Sequence, residues 1–225
     1  MKSVSRLLGA FLSVLCAPVV PLLQATDLVG PAATWRYLEG RTEASTPDAA
    51  AWTRGGFNDQ GWKSAAGPFY YGKPFTGTEL ADMRGNYTGI YLRKTFSVAD
   101  ANVVGSLTLH VLSDDGFVAW INGKEVARFN VPEGVLAHTA TALPALDEPV
   151  PTQDVDVAEP WKVLVSGENV IAIQALNSSL SDSSDFALFA TVTAAEDTTA
   201  PRVVDLSPPA GSTVDELLEI GRAHV

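Results

Sequence analysis

"SDDGFVAWINGKEVARF", residues 113–129, decides the fold. Asn122-Gly123 separates two short runs, "FVAWI" (117–121) and "KEVARF" (124–129). An Asn-Gly pair supplies the two positive-φ residues of a type I′ turn, whose twist matches that of paired strands. The two runs are therefore predicted to form a tight β-hairpin. The first run is apolar throughout, as in a central strand buried on both faces. Upstream, Asp114-Asp115-Gly116 marks a chain reversal at the end of the preceding run.

The same pattern recurs on either side. "SLTLHVL" (106–112) places Leu107, Leu109 and Val111 on one face. "YLRKTFSV" (91–98) alternates, with Tyr91, Arg93, Thr95 and Ser97 opposite Leu92, Lys94, Phe96 and Val98. "TWRYLEG" (34–40), "NVIAIQAL" (169–176) and "FALFATVT" (186–193) complete the set of predicted strands. No stretch sustains a helical period, and only short helical turns are expected near "PDAAAW" (47–52) and "EPWKVLVSG" (159–167). Apolar residues make up 46% of the chain, enough for a substantial core, whereas charged residues reach only 18%, as in β-rich exported proteins. Many short strands between turn signals predict an all-β fold, an antiparallel β-sandwich.

Residues 1–25 read as a signal peptide. Lys2 and Arg6 precede an apolar run from Leu7 to Val20, and cleavage is expected after Ala25. The run is short for a membrane span and contains Pro18, so no span is expected in the mature chain. Cys16, the single cysteine, leaves with the signal, which removes disulfides and thiolate zinc ligands from consideration. The mature chain keeps 13 basic and 26 acidic residues, a balance of −13. Such acidity argues against nucleic acid as a partner. The predicted domain covers 30–194, followed by a linker at 195–201. Residues 202–219 are read as the start of a further β-domain. The last six residues, "IGRAHV" (220–225), match what a sequencing adapter encodes and are expected to be foreign to the natural protein.

The order "TWRYLEG", "FNDQGWKSAAGPFYYG" (57–72), "GIYLRKTFSV", "LTLHVLSDDGFVAWINGKEVARFNVPEG" and "VLVSGENVIAIQALN" resembles galactose-binding-like jelly-roll domains. The nearest variant is the accessory domain of large secreted bacterial proteins. The sugar-binding domain of family 2 glycosidases shares the "NGKEV … GENVIAI" skeleton. "TTAPRVVDLSPPAGSTV" (198–214) resembles the start of a bacterial Ig-like repeat. The resemblance implies a secreted or cell-surface accessory module that binds a glycan or another extracellular matrix component, with a structural calcium in some members. Alternatives are a purely structural spacer, or an accessory domain of a secreted hydrolase. No feature of the sequence sets an oligomeric state.

Candidate site residues follow from these expectations. Asp114 and Asp115 have three open readings: turn-capping carboxylates, calcium ligands, or hydrogen-bond partners of sugar hydroxyls. Asp182 and Asp185, in "NSSLSDSSD" (177–185), are candidates to complete a calcium site. Phe69, Tyr70, Tyr71, Phe75, Tyr87 and Tyr91 are candidates to stack on a sugar ring, with Tyr87 preferred because of its polar loop. Trp35, Trp52, Trp62 and Trp161 are expected to close one end of the sandwich. No G-x-S-x-G elbow, H-E-x-x-H helix or glycine-rich phosphate loop is present, so no intrinsic catalysis is expected.

Overall fold

A computed structural model describes residues 25–197. The signal peptide, the Ig-like start, the foreign tail and most of the linker expected from sequence lie outside the described residues. Among those described, twelve strands form two sheets. They are β1 (Thr26–Val29), β2 (Thr34–Glu39), β3 (Lys63–Ala66), β4 (Phe69–Tyr71), β5 (Thr78–Glu79), β6 (Gly89–Val98), β7 (Val104–Asp114), β8 (Gly116–Ile121), β9 (Lys124–Phe129), β10 (Gln153–Asp156), β11 (Gly167–Leu176) and β12 (Phe186–Glu196). Short 3-10 turns occupy Ala51–Thr53, Ala101–Val103 and Pro160–Lys162. The first sheet runs β10-β7-β12-β4-β5, with β1 also paired to β12. The second runs β3-β2-β6-β11-β8-β9. Every described pairing is antiparallel except β4 with β5.

The hairpin forms as its sequence predicts. Asn122 and Gly123 take φ of 51° and 82°, and β8 pairs with β9 across them. The Asn122 side chain also ties this turn to β11. Its Nδ2 donates to Asn169 Oδ1 (2.7 Å), and its Oδ1 accepts from Val170 N (3.0 Å). The turn residue thus sets both the hairpin and the register of the neighbouring strand.

The inner faces of the two sheets meet in one core. Leu107, Leu109 and Val111 of β7 face Ile90, Leu92 and Phe96 of β6, Phe117, Ala119 and Ile121 of β8, and Ile171 and Ile173 of β11. This is sheet-on-sheet packing driven by alternating apolar residues. The outer face of the second sheet is covered as well. Residues 41–62 bring Trp52, Phe57 and Trp62 onto Tyr91 and Ala172. Residues 130–150 bring Val131, Leu136 and Ala142 onto Val118 and Leu176. This double cover explains why "FVAWI" and "NVIAIQAL" read as nearly continuous apolar runs.

A buried guanidinium fastens the first cover. Arg93 is 2% exposed, and its Nε donates to Asp59 Oδ2 (2.8 Å). Its Nη1 donates to the carbonyls of Trp52 and Arg54. Two aromatics lie otherwise than their sequence context suggests. Trp161 remains 54% exposed on its 3-10 turn, away from the core. Tyr87 is buried, with its hydroxyl donating to Asp82 Oδ1 (3.0 Å) and Arg41 lying over its ring at 4.7 Å. This aromatic of a polar-looking loop joins the main core.

Candidate functional site

The Asp114-Asp115 corner lies where β7 hands over to β8, with both side chains buried. Asp115 is spent on backbone. Its Oδ1 accepts from Leu146 N (3.0 Å) and its Oδ2 from Ser178 N (2.8 Å). Its main-chain N–H donates to Leu176 O, and its carbonyl accepts from Asn130 Nδ2. One residue therefore staples the 130–150 cover and the β11–β12 loop to the sheet. Burial pushes the Asp115 carboxyl up, but the Ser178 and Leu146 donors outweigh it and hold the group below the ordinary range.

Asp114 faces a cation of the protein itself. Lys73 Nζ lies 3.0 Å from Asp114 Oδ2 and 3.0 Å from Asp185 Oδ2, and it also pairs with Glu148. One carboxylate oxygen from each of the three acids lies within 4.8 Å of the others. Burial lowers the affinity of Lys73 for its proton, yet Glu148, Asp114 and Asp185 together raise it above the ordinary value. Burial, helped by Asp115, lifts Asp114 to about 6 against the pull of Lys73. Gly72 makes this placement possible. Its φ of 67° favours glycine, and a Cβ there would sit 2.3 Å from Ser184 O. The backbone can therefore lie against the β11–β12 loop and deliver Lys73 to Asp185.

The donor set expected for calcium does not fit the ion in this arrangement. Asp114 and Asp185 do come together, but Glu148 completes the group, and an ammonium stands among the three. Asp115 has both oxygens engaged elsewhere, and Asp182 stands apart with Ser179. Hard-cation sites need several free oxygens around one point.

A second feature lies on the outer face of the second sheet, between its two covers. Here an open cleft of about 280 Å³ is lined by Trp52, Tyr91, Trp120 and Gln174, with Glu43, Glu125, Arg128 and Glu133 among the charged residues. Trp52 packs edge-on against Tyr91 (5.0 Å between centroids) and Trp120 (5.4 Å). Trp120 is only half-buried, so part of its indole faces the cleft. Tyr91 is 2% exposed, and its hydroxyl is buried beside Glu43 without a well-formed hydrogen bond. Burial, then the Glu43 charge, push that phenol above its ordinary range.

Glu43 Oε1 accepts from His138 N (3.1 Å) and contacts His138 Nδ1 (2.7 Å). Burial raises this carboxyl, but the His138 contacts prevail and hold it below the ordinary range. Arg128 forms a fork with Glu125 (2.8 Å to each oxygen) and donates to the carbonyls of Pro132 and Gly134. It shapes the cleft wall and is neutralised in doing so.

Tyr91 was among the expected aromatics; Trp120 and Gln174 were not among the expected site residues. One signal did point to them: Gln174 is a lone amide within an otherwise apolar strand core, "VIAIQAL" (170–176). His110 sits between Asp154 (2.7 Å) and Thr193 (3.2 Å). All three lie on adjacent strands of the first sheet, and Asp154 is largely open to solvent.

No family model matches the chain, and no curated protein matches it. Solved structures align with it at low similarity. A Bacteroides uniformis β-glucuronidase 2, covalently bound to cyclophellitol-6-carboxylate aziridine, aligns with 76% of this chain at 14% identity and a TM-score of 0.48. An uncultured Clostridium sp. β-glucuronidase aligns with 80% at 18% identity and 0.47. Amycolatopsis orientalis exo-chitosanase CsxA aligns with 76% at 15% identity and 0.45. The chain spans 18%, 30% and 20% of those chains, respectively.

Proposed function

We propose that this sandwich is a non-catalytic, carbohydrate-binding accessory module of an exported protein. In this reading the ligand meets the outer face of the second sheet, not the Asp114-Asp115 corner. The observation that carries it is the cleft beside Trp120. A partly exposed indole offers a flat apolar surface to the C–H face of a sugar ring. Gln174 and the Tyr91 hydroxyl supply polar groups around that surface, a combination of apolar floor and few polar groups that suits a small-molecule site. A purely structural spacer needs no such grouping. The Asp114 corner is a structural staple in this reading, with Lys73 as its counter-charge and no requirement for calcium.

The test is affinity electrophoresis of the full chain through gels containing soluble polysaccharides, followed by calorimetry with the oligosaccharides that retard it. Retardation that Trp120→Ala weakens by about tenfold or more, with Trp120→Phe restoring part of it, supports the assignment. Binding that is indifferent to Trp120 places the site elsewhere. No retardation by any polysaccharide favours the spacer.

A further inference from the structure

The charges around the cleft narrow the ligand class. Its lining carries Glu43, Glu125 and Glu133 against Arg128. Arg128 and Glu125 form a bidentate pair, and two further guanidinium donors go to Pro132 O and Gly134 O. Three carboxylates thus face a single guanidinium in the lining, so an entering ligand meets a net negative surface. Both hydrogen bonds from His138 fall on Glu43 Oε1, and the Tyr91 hydroxyl interacts with the same carboxyl. Beside Glu43, the buried Tyr91 hydroxyl has no well-formed hydrogen bond. Among the described residues, nothing donates to the Gln174 side-chain oxygen, while its Nε2 reaches Ala137 O at 3.4 Å. Next to these acceptors stands the partly exposed Trp120 ring, a surface that attracts cations as well as C–H groups.

We infer that the cleft selects a glycan bearing free amines, such as an oligosaccharide of glucosamine residues, over its neutral or N-acetylated counterparts. The inference rests on the proposed carbohydrate-binding role. A sugar ring would lie against Trp120, its ammonium would face Glu43 and Glu133, and its hydroxyls would reach Gln174 and Tyr91. A cation alone, such as a polyamine, would use the carboxylates but not the ring-plus-amide pairing. An acidic glycan would meet the net negative lining, and like charges at close range disfavour a ligand strongly.

The test is calorimetric titration of the full chain, in neutral buffer, with four probes matched in length where possible. They are a glucosamine oligomer, the same oligomer fully N-acetylated, a neutral glucose oligomer and spermidine. The expected result is glucosamine-oligomer binding about tenfold tighter than either neutral oligomer, as one retained charge contact would give. Glu43→Gln and Glu133→Gln should each erase most of that preference while leaving weak binding of the neutral oligomers. Added salt should compress the preference in the same way. Thermal melts of both variants close to that of the unmodified chain show that a lost preference is not lost folding. Equal binding of all three oligomers overturns the amine preference and leaves the carbohydrate-binding role standing. Spermidine binding as tightly as the glucosamine oligomer overturns the glycan part. Binding of none of the four overturns the inference, and with no retardation by any polysaccharide the carbohydrate-binding role falls too.

Discussion

Replacing Asp114 by asparagine isolates what it takes to keep that carboxylate buried. Burial, with Asp115 beside it, raises Asp114 from 3.8 to about 6 against the pull of Lys73. The folded chain therefore holds this proton more tightly than the unfolded chain does. Ionisation then removes stability as pH rises from near 3.8 through about 6, and nothing is lost below the lower value. The displacement corresponds to about 3 kcal/mol, and a side chain only 6% exposed gains little relief from solvent. An amide of the same shape cannot ionise, and Lys73 keeps Asp185 and Glu148 as partners. Urea unfolding of both proteins between about pH 4 and about pH 7 reads the effect. The difference in unfolding free energy should move by about 3 kcal/mol toward Asp114→Asn as pH rises. Asp115 has the opposite sign, since its depressed carboxyl adds stability above its ordinary range and loses it as pH falls. It is present in both proteins, so most of its contribution drops out of the difference. Parallel pH profiles for the two proteins would refute the reasoning, because they would mean that Asp114 is not held in a proton-favouring environment.

Three further outcomes follow from the same geometry. Asp115→Ala strips the acceptors from Leu146 N and Ser178 N and should lower unfolding free energy by about 3 kcal/mol or more, equally with and without added calcium. Gly72→Ala places a Cβ against Ser184 O at a positive φ, so a loss of about 2–4 kcal/mol is expected in denaturant unfolding. Arg93→Met leaves Asp59 and the carbonyls of Trp52 and Arg54 without their donor, a loss of about 3–5 kcal/mol, and hydrogen exchange should show residues 52–59 opening before the sheets.

The fold was legible in the sequence wherever its cause is local. Asn122-Gly123 fixes a turn through backbone preference alone, and alternation in "SLTLHVL" needs only a strand with one face on a core. Short strands such as β4, β5 and β10 were missed because their pairing comes from neighbours, not from their own residues. The acidic corner shows the same divide. Asp-Asp-Gly marked a reversal, yet the partners that decide its chemistry lie 41, 75 and 112 positions apart along the chain, measured from Lys73. A lysine following "FYYG" carries no mark of being buried; only the path set by Gly72 takes it among three carboxylates. The cleft was the least legible feature. Tyr91 and Trp120 look like ordinary core positions, because their strands are covered on both faces. Where the two covers fail to meet, the same apolar alternation that builds a core leaves an aromatic surface open, and only the amide of Gln174 records that a polar group belongs there.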